Sequence, residues 1–236
     1  MGNSKSKNEE SAKVMRDILC LRNEPVAVKL IREGDGFPEG EFTEPEGQMS
    51  HCQAVMAARK GECLKMTAEK QSCMVGASTL GMAAIPEKVA TGEHHGKQRV
   101  HVSDAAAAKM IAERSDMPYR TVGEIVCPLS KADFEPDAVV VVDMPERIYW
   151  ISAANVSDGG RAHYSTAPFQ CVCEDATALP ILTGKANISL GCIGCRRRTD
   201  IAFDEMVVGF PYSMMPKVLE SLERFSQGAI ARGRKE

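Results

Sequence analysis

Nine cysteines in a chain of 236 residues are the side chains best able to do chemistry here. Cys52 and Cys73 have twenty residues between them, as do Cys171 and Cys192. Each second cysteine leads into a glycine-bearing turn, Cys73-Met74-Val75-Gly76 and Cys192-Ile193-Gly194-Cys195. Helix N-termini and runs of backbone N–H groups stabilise thiolates and anionic clusters, so cysteines at such turns suit a metal centre. Among nine cysteines, repeated spacings also arise by chance. The sequence around each thiol therefore carries more weight than the spacing.

Structural zinc sites present two tight Cys-x(2–4)-Cys knuckles, and only Cys192-x-x-Cys195 fits, since Cys171-Val172-Cys173 is tighter. Zinc is accordingly less expected, and closely spaced ferredoxin-type runs are absent. A [4Fe–4S] cluster can instead take four thiolates from separated loops. Its net negative charge could be offset by Arg196, Arg197 and Arg198. A second option is a redox dithiol, Cys192 with Cys195, if that pair opened a helix. The residues that follow, Arg196 to Asp200, are expected to open a helix poorly, which ranks this option below metal ligation. Cys20 and Cys127 read as core residues, and Cys63 as either a core residue or a ligand, with core favoured. His94-His95 falls in a Gly-flanked turn expected to be exposed, His51 could tune Cys52 or cap a helix, and His163 has no visible partner. No phosphate loop, dinucleotide fingerprint or Gly-x-Ser-x-Gly elbow occurs. Asp204-Glu205 reads as a loop entering a strand rather than as acid–base machinery.

Strands alternating with helices position these residues. The spacing of Val14, Ile18 and Leu21 predicts a first helix over 11–22, and Pro25 to Ile31 reads as a strand. Ser50 is placed to cap a helix over 52–60 that Gly61 ends. Cys63 to Met66 and His101-Val102 are expected strands, the latter leading into a helix over 105–114. Val122 to Val126, Asp137 to Val142, Asn187 to Leu190 and Met206 to Phe210 are β-prone. Helices are expected after Pro145 and around Met215 to Phe225, with Pro216 in the first turn, where a missing N–H costs little. The pattern predicts an α/β fold, with α+β as the variant, in two pseudo-repeated lobes over 11–120 and 121–229. Residues 1–10 and 230–236 are expected to be a polar and a basic tail. Two registers for the duplication compete, one matching Cys52 to Cys171 and the other matching it to Cys173.

Composition bounds the function. The net charge is −3 and aromatic residues make up 5%, which argues against nucleic-acid binding. No apolar run reaches the length of a membrane helix, and the N-terminus lacks a secretory signal. The expectation is a cytoplasmic protein whose cysteines are reduced, and an odd number of them also argues against a disulfide framework. Met1 to Ser6 fits a myristoylation pattern but reads as a polar tail. The thirteen methionines are scattered, as in ordinary core packing.

Pro25-Val26-Ala27-Val28-Lys29, Cys52-Gln53-Ala54, Ala57 to Glu62, Cys73 to Gly76, Leu182 to Lys185, Ser189 to Gly194 with Arg196, and Asp204 to Pro211 together resemble a prokaryotic family of unknown function, DUF169. The resemblance runs from about residue 20 to 227. It implies family cysteines at Cys52, Cys73, Cys173 and Cys192, which favours Cys173 over Cys171, and leaves Cys171 and Cys195 as additions. The expectation is then an iron–sulfur protein with Cys52, Cys73, Cys173 and Cys192 as ligands, Cys171 or Cys195 as a further ligand, and Arg196 beside the cofactor. It would transfer electrons to a redox partner protein or act on a small molecule, alone or as a homo-oligomer. The alternatives are a thiol-based enzyme using Cys192 and Cys195, and a binding module whose cysteines are core.

Overall fold

The computed structural model describes residues 2–233. Six strands form one sheet in the order β2-β3-β1-β4-β6-β5, with every neighbouring pair antiparallel. They are β1 (Val26–Arg32), β2 (Leu64–Thr67), β3 (Thr121–Pro128), β4 (Ala138–Asp143), β5 (Asn187–Ser189) and β6 (Met206–Pro211). The helices are α1 (Gly2–Leu19), α2 (His51–Ala58), α3 (Met74–Thr79), α4 (Glu87–Ala90), α5 (Glu93–Gly96), α6 (Asp104–Ala112), α7 (Pro145–Asn155), α8 (Leu179–Thr183), α9 (Ile193–Arg198), α10 (Met215–Ser226) and α11 (Ala229–Gly233). Among the described residues no helix is long and apolar enough to cross a membrane.

Alternation along the strands feeds two cores, because successive side chains point to opposite faces. Ala27, Ile31, Val139, Val141, Val208 and Phe210 pack with α1, α7 and α10. Val26, Val28, Leu30, Val140, Val142 and Val207 pack with α2, α3 and the segment leading into α8. A sheet covered on both faces explains why β4 reads as an unbroken apolar run. The mixed α/β class is as expected. The pseudo-repeated lobes are not confirmed, since β1 from the first half lies between β3 and β4 of the second.

The first helix starts far earlier than its apolar pattern suggests, so most of the expected polar tail is helical. Its buried stripe is Ala12, Met15 and Leu19, with Asn8 continuing it, rather than Val14, Ile18 and Leu21. Asn8 can sit there because its amide donates to the carbonyls of Ala132 and Phe134, at 2.9 Å each, and accepts from the Tyr212 hydroxyl. Cys20 follows α1 with φ of 51° and is exposed, not core. His101-Val102 forms no strand, and the Val102 side chain is exposed. Of the basic tail, residues 234–236 lie outside the described residues, as does Met1 of the N-terminal motif.

One glycine decides how closely the two layers approach. A Cβ at Gly209 on β6 would stand 1.8 Å from the carbonyl oxygen of Ala176, so the segment 174–178 lies directly on the strand's backbone. Gly209→Ala should therefore destabilise the fold by about 1–3 kcal/mol through forced backbone displacement. Thermal unfolding of the two proteins checks this, and an unchanged midpoint would contradict the close packing.

Candidate metal centre

Four segments on the second face of the sheet bring cysteines to one cavity of about 300 Å³. Its lining includes Cys52, Cys73, Cys171, Cys173 and Cys192. Cys52 sits in the first turn of α2, which Ser50 opens through a capping box with Gln53. The Ser50 hydroxyl also lies 3.2 Å from the Cys52 sulfur. Cys73 and Cys192 are themselves the N-caps of α3 and α9, their sulfurs accepting from Gly76 N at 3.4 Å and from Cys195 N at 3.2 Å. Cys173 is buried at the start of one turn of π-helix, Glu174–Ala178. Such turns recur at functional sites, and nothing in the sequence announced this one.

Backbone ties fix these segments in pairs. The Gln71 side-chain oxygen accepts from the backbone N–H of His51 (3.2 Å) and of Cys73 (3.3 Å), joining the first two thiol-bearing turns. The Asn187 amide donates to the carbonyls of Ser165 and Asp175, and Ser189 Oγ donates to the carbonyl of Gln170. These bonds hold the segment bearing Cys171 and Cys173 against the turn that leads to Cys192. His51 joins the two pairs. Its buried ring lies between Glu124 on β3 (Nδ1 to Oε2, 2.7 Å) and Thr177 in the π-turn (Nε2 to Oγ1, 2.9 Å). His51→Ala would leave Glu124 and Thr177 buried without that partner and should cost about 1–3 kcal/mol, read by urea unfolding of the metal-free protein. A loss below half a unit of that range would mean water replaces the ring.

The thiols interact with one another. The neighbouring Cys171 thiol, with the backbone N–H groups of Cys195 and Gly194, brings the Cys192 thiol down to about 6. Cys171 is pushed up by the neighbouring Cys173 and Cys192 thiols and by burial, and its one S–H donates to the carbonyl of Phe169. Burial, with Cys173 nearby, raises Cys73 to about 11. Cys52 is pushed up by the neighbouring Cys195 thiol and by burial, and Cys195 is lowered by Cys52 in turn. For Cys173 the neighbouring Cys171 acts downward, and burial with Cys192 overrides it. A cationic core would invert this balance and deprotonate the set, with release of protons on loading.

The donor set suits such a core. Gly76 leaves room between two of the sulfurs, for a Cβ there would touch Cys173 Sγ at 3.6 Å and Cys73 Sγ at 3.7 Å. Among the described residues, no group of three His, Cys, Asp or Glu side chains closes on a single ion. The thiols surround a space instead. Cys195 is fully buried beside Cys52 and does not line the cavity.

Arg196, expected beside the cofactor, is otherwise engaged: it donates to the carbonyls of Leu190, Ala202 and Glu205 and so clamps the loops that flank α9. Arg197 and Arg198 line the cavity. His94 and His95 do as well, and His95 is buried rather than exposed, its ring 4.6 Å from that of Phe169. Burial, with His94, His101 and Arg114 nearby, lowers the His95 imidazole to about 4 and keeps it neutral near pH 7. The Cys192 turn does open a helix, contrary to expectation, because the Cys192 cap and the arginines in the last turn both favour one. His163 is exposed, and Asp204-Glu205 is a loop entering β6, as expected. The sequence did not reveal Gln71, Thr177, Glu124 or His95, since none lies in a recognisable spacing.

Fold and site define a one-sheet α/β protein with a thiol-lined cavity on one face. The chain belongs to the uncharacterised ArCR family, DUF169, whose pattern matches residues 14–221. It is 30% identical over 221 residues to the uncharacterized protein MJ0308 of Methanocaldococcus jannaschii, covering 92% of this chain and 94% of that one. No solved structure matches it.

Proposed function

We propose that the chain binds an iron–sulfur cluster of the [4Fe–4S] type through Cys52, Cys73, Cys173 and Cys192, and uses it for electron transfer or chemistry on a small molecule. The observation that carries this reading is the convergence of thiols from four separate turns on one cavity. Cys73 and Cys192 cap α3 and α9 through their sulfurs, the His51 N–H is tied to the Gln71 side chain, and all three turns line the cavity. A cube-shaped cluster needs thiolates spread around a volume rather than focused on a point, and thiolate is its usual ligand. When bound, the cluster would supply one-electron chemistry. The chain's residues would hold it, with Arg197 and Arg198 offsetting its charge and the Phe169–His95 wall limiting water. Anaerobic reconstitution with ferrous iron and sulfide should give a brown protein whose visible absorption bleaches on reduction. A protein that stays colourless contradicts the proposal.

One observation favours a second reading, a thiol-based redox enzyme. Cys192 caps α9 with a lowered thiol and Cys195 sits buried one turn on, the arrangement of a nucleophile and its resolving partner. Under that reading Cys195→Ser abolishes turnover of a disulfide substrate, and iron is not needed. The cluster reading predicts that the same variant keeps its iron.

A further inference from the structure

A second pair of thiols lies across the sheet from the cavity. β2 and β3 run antiparallel with Leu64 opposite Val126 and Lys65 opposite Ile125. Carried back by one residue, that register sets Cys63 opposite Cys127, with both side chains on the same face. That face is the α1 side, where Cys127 is buried in the core and Cys63 packs on its edge. The two thiols lie close enough to shift each other's ionisation. Residues directly opposite in an antiparallel pair have Cα atoms about 4.5–5.5 Å apart. This falls inside the window of about 4.4–6.8 Å that a disulfide spans. Cys63 also lines an open cavity together with Lys5, Lys131 and Asp133, so small molecules reach it. Lys131 donates to the carbonyl of Gly61 at 2.8 Å, which anchors its ammonium beside the thiol.

We infer that Cys63 and Cys127 are a peroxide-reactive pair that closes a cross-strand disulfide. The Cys63 thiolate attacks one oxygen of a peroxide, the O–O bond breaks, and the leaving oxygen departs as water after taking a proton. Cys63 is then a sulfenic acid. The Cys127 thiol attacks that sulfur, the S–O bond breaks, and a second water leaves. The thiol pair has lost two electrons and the peroxide has gained them. Low-pKa, accessible thiols with a neighbouring resolving cysteine are the ones that oxidise this way. The Cys127 thiol beside it, helped by the Lys131 charge, brings Cys63 down to about 7. Because the sheet separates this pair from the five cysteines that line the cavity, its oxidation leaves the cavity thiols untouched.

The test treats the purified full-length protein with hydrogen peroxide at low stoichiometric excess, digests it without reductant and sequences the peptides by mass spectrometry. A Cys63–Cys127 linked peptide should account for most of the Cys63 signal. Alkylation of Cys63 by iodoacetamide should rise with pH through about 7 and then level off. In Cys127→Ala, with folding checked by circular dichroism, Cys63 should be trapped by dimedone as sulfenic acid. Wild-type protein alone can overturn the inference. It fails if Cys63 remains a free thiol, advances to sulfinic acid without a linked peptide, or links instead to another cysteine.

Discussion

Replacing Cys192 by serine is expected to abolish cluster binding, with iron retained after anaerobic reconstitution falling at least tenfold. Cys192 is the thiol of the set most ready to ionise, and its sulfur is fixed by the N–H of Cys195 at the opening of α9. Serine keeps the cap but is a poor ligand for iron. Cys52→Ser, Cys73→Ser and Cys173→Ser should lose iron comparably, because three thiolates leave one corner of the cluster open to solvent. Cys171→Ser and Cys195→Ser are expected to retain it. Cys171 spends its proton on the carbonyl of Phe169, and Cys195 stands behind Cys52, outside the cavity lining. If all six variants lost iron equally, the division into ligands and additions would be wrong. If none did, the cluster itself would be.

Glu205→Ala should be the most destabilising single change outside the cavity. Arg59, buried at the end of α2, donates to Glu205 at 2.8 Å, and the same carboxylate accepts from Arg22 and from the backbone N–H of Ala202. Both side chains are nearly inaccessible, 3% and 5% exposed. Removing the carboxylate strands a buried guanidinium, which typically costs about 3–5 kcal/mol. Asp200 still reaches Arg59 at 3.1 Å, so a loss near the lower end is expected. The double variant Arg59→Met with Glu205→Leu should recover much of it, since a buried ion pair replaced whole by apolar groups is often neutral. Urea unfolding of the wild type, Arg59→Met, Glu205→Leu and the double variant measures this coupling. The pair links the helix bearing Cys52 to the loop after α9, so the single variant should also bind iron less tightly.

Much of the layout was legible in the residues. Ala138 to Asp143 is a central strand buried on both faces, and a continuous apolar run is what such a strand looks like. Ser50 and Gln53 announced the start of α2 because a capping box is local chemistry. The gathering of Cys52, Cys73, Cys173 and Cys192 was anticipated from the turns around them and from the family pattern. Other features depend on distant partners and left no local trace. Asn8 is acceptable inside a buried helix face only because Ala132, Phe134 and Tyr212 satisfy it. Gln71 reads as an ordinary loop residue until it bridges two turns. Arg196 looked like a counter-charge for the cluster, yet its planar fork is filled by carbonyls, and the cavity falls to Arg197 and Arg198. Cys63 and Cys127 looked like separate core residues because only the β2–β3 register brings them face to face.

Iron and acid-labile sulfide, measured on protein purified under strict anaerobiosis, test whether the thiol-lined cavity holds a cluster. A chain that holds the cluster carries both in equal amounts, approaching about four of each per chain when fully loaded. Zinc without sulfide, or neither metal nor sulfide even after reconstitution, would contradict cluster binding.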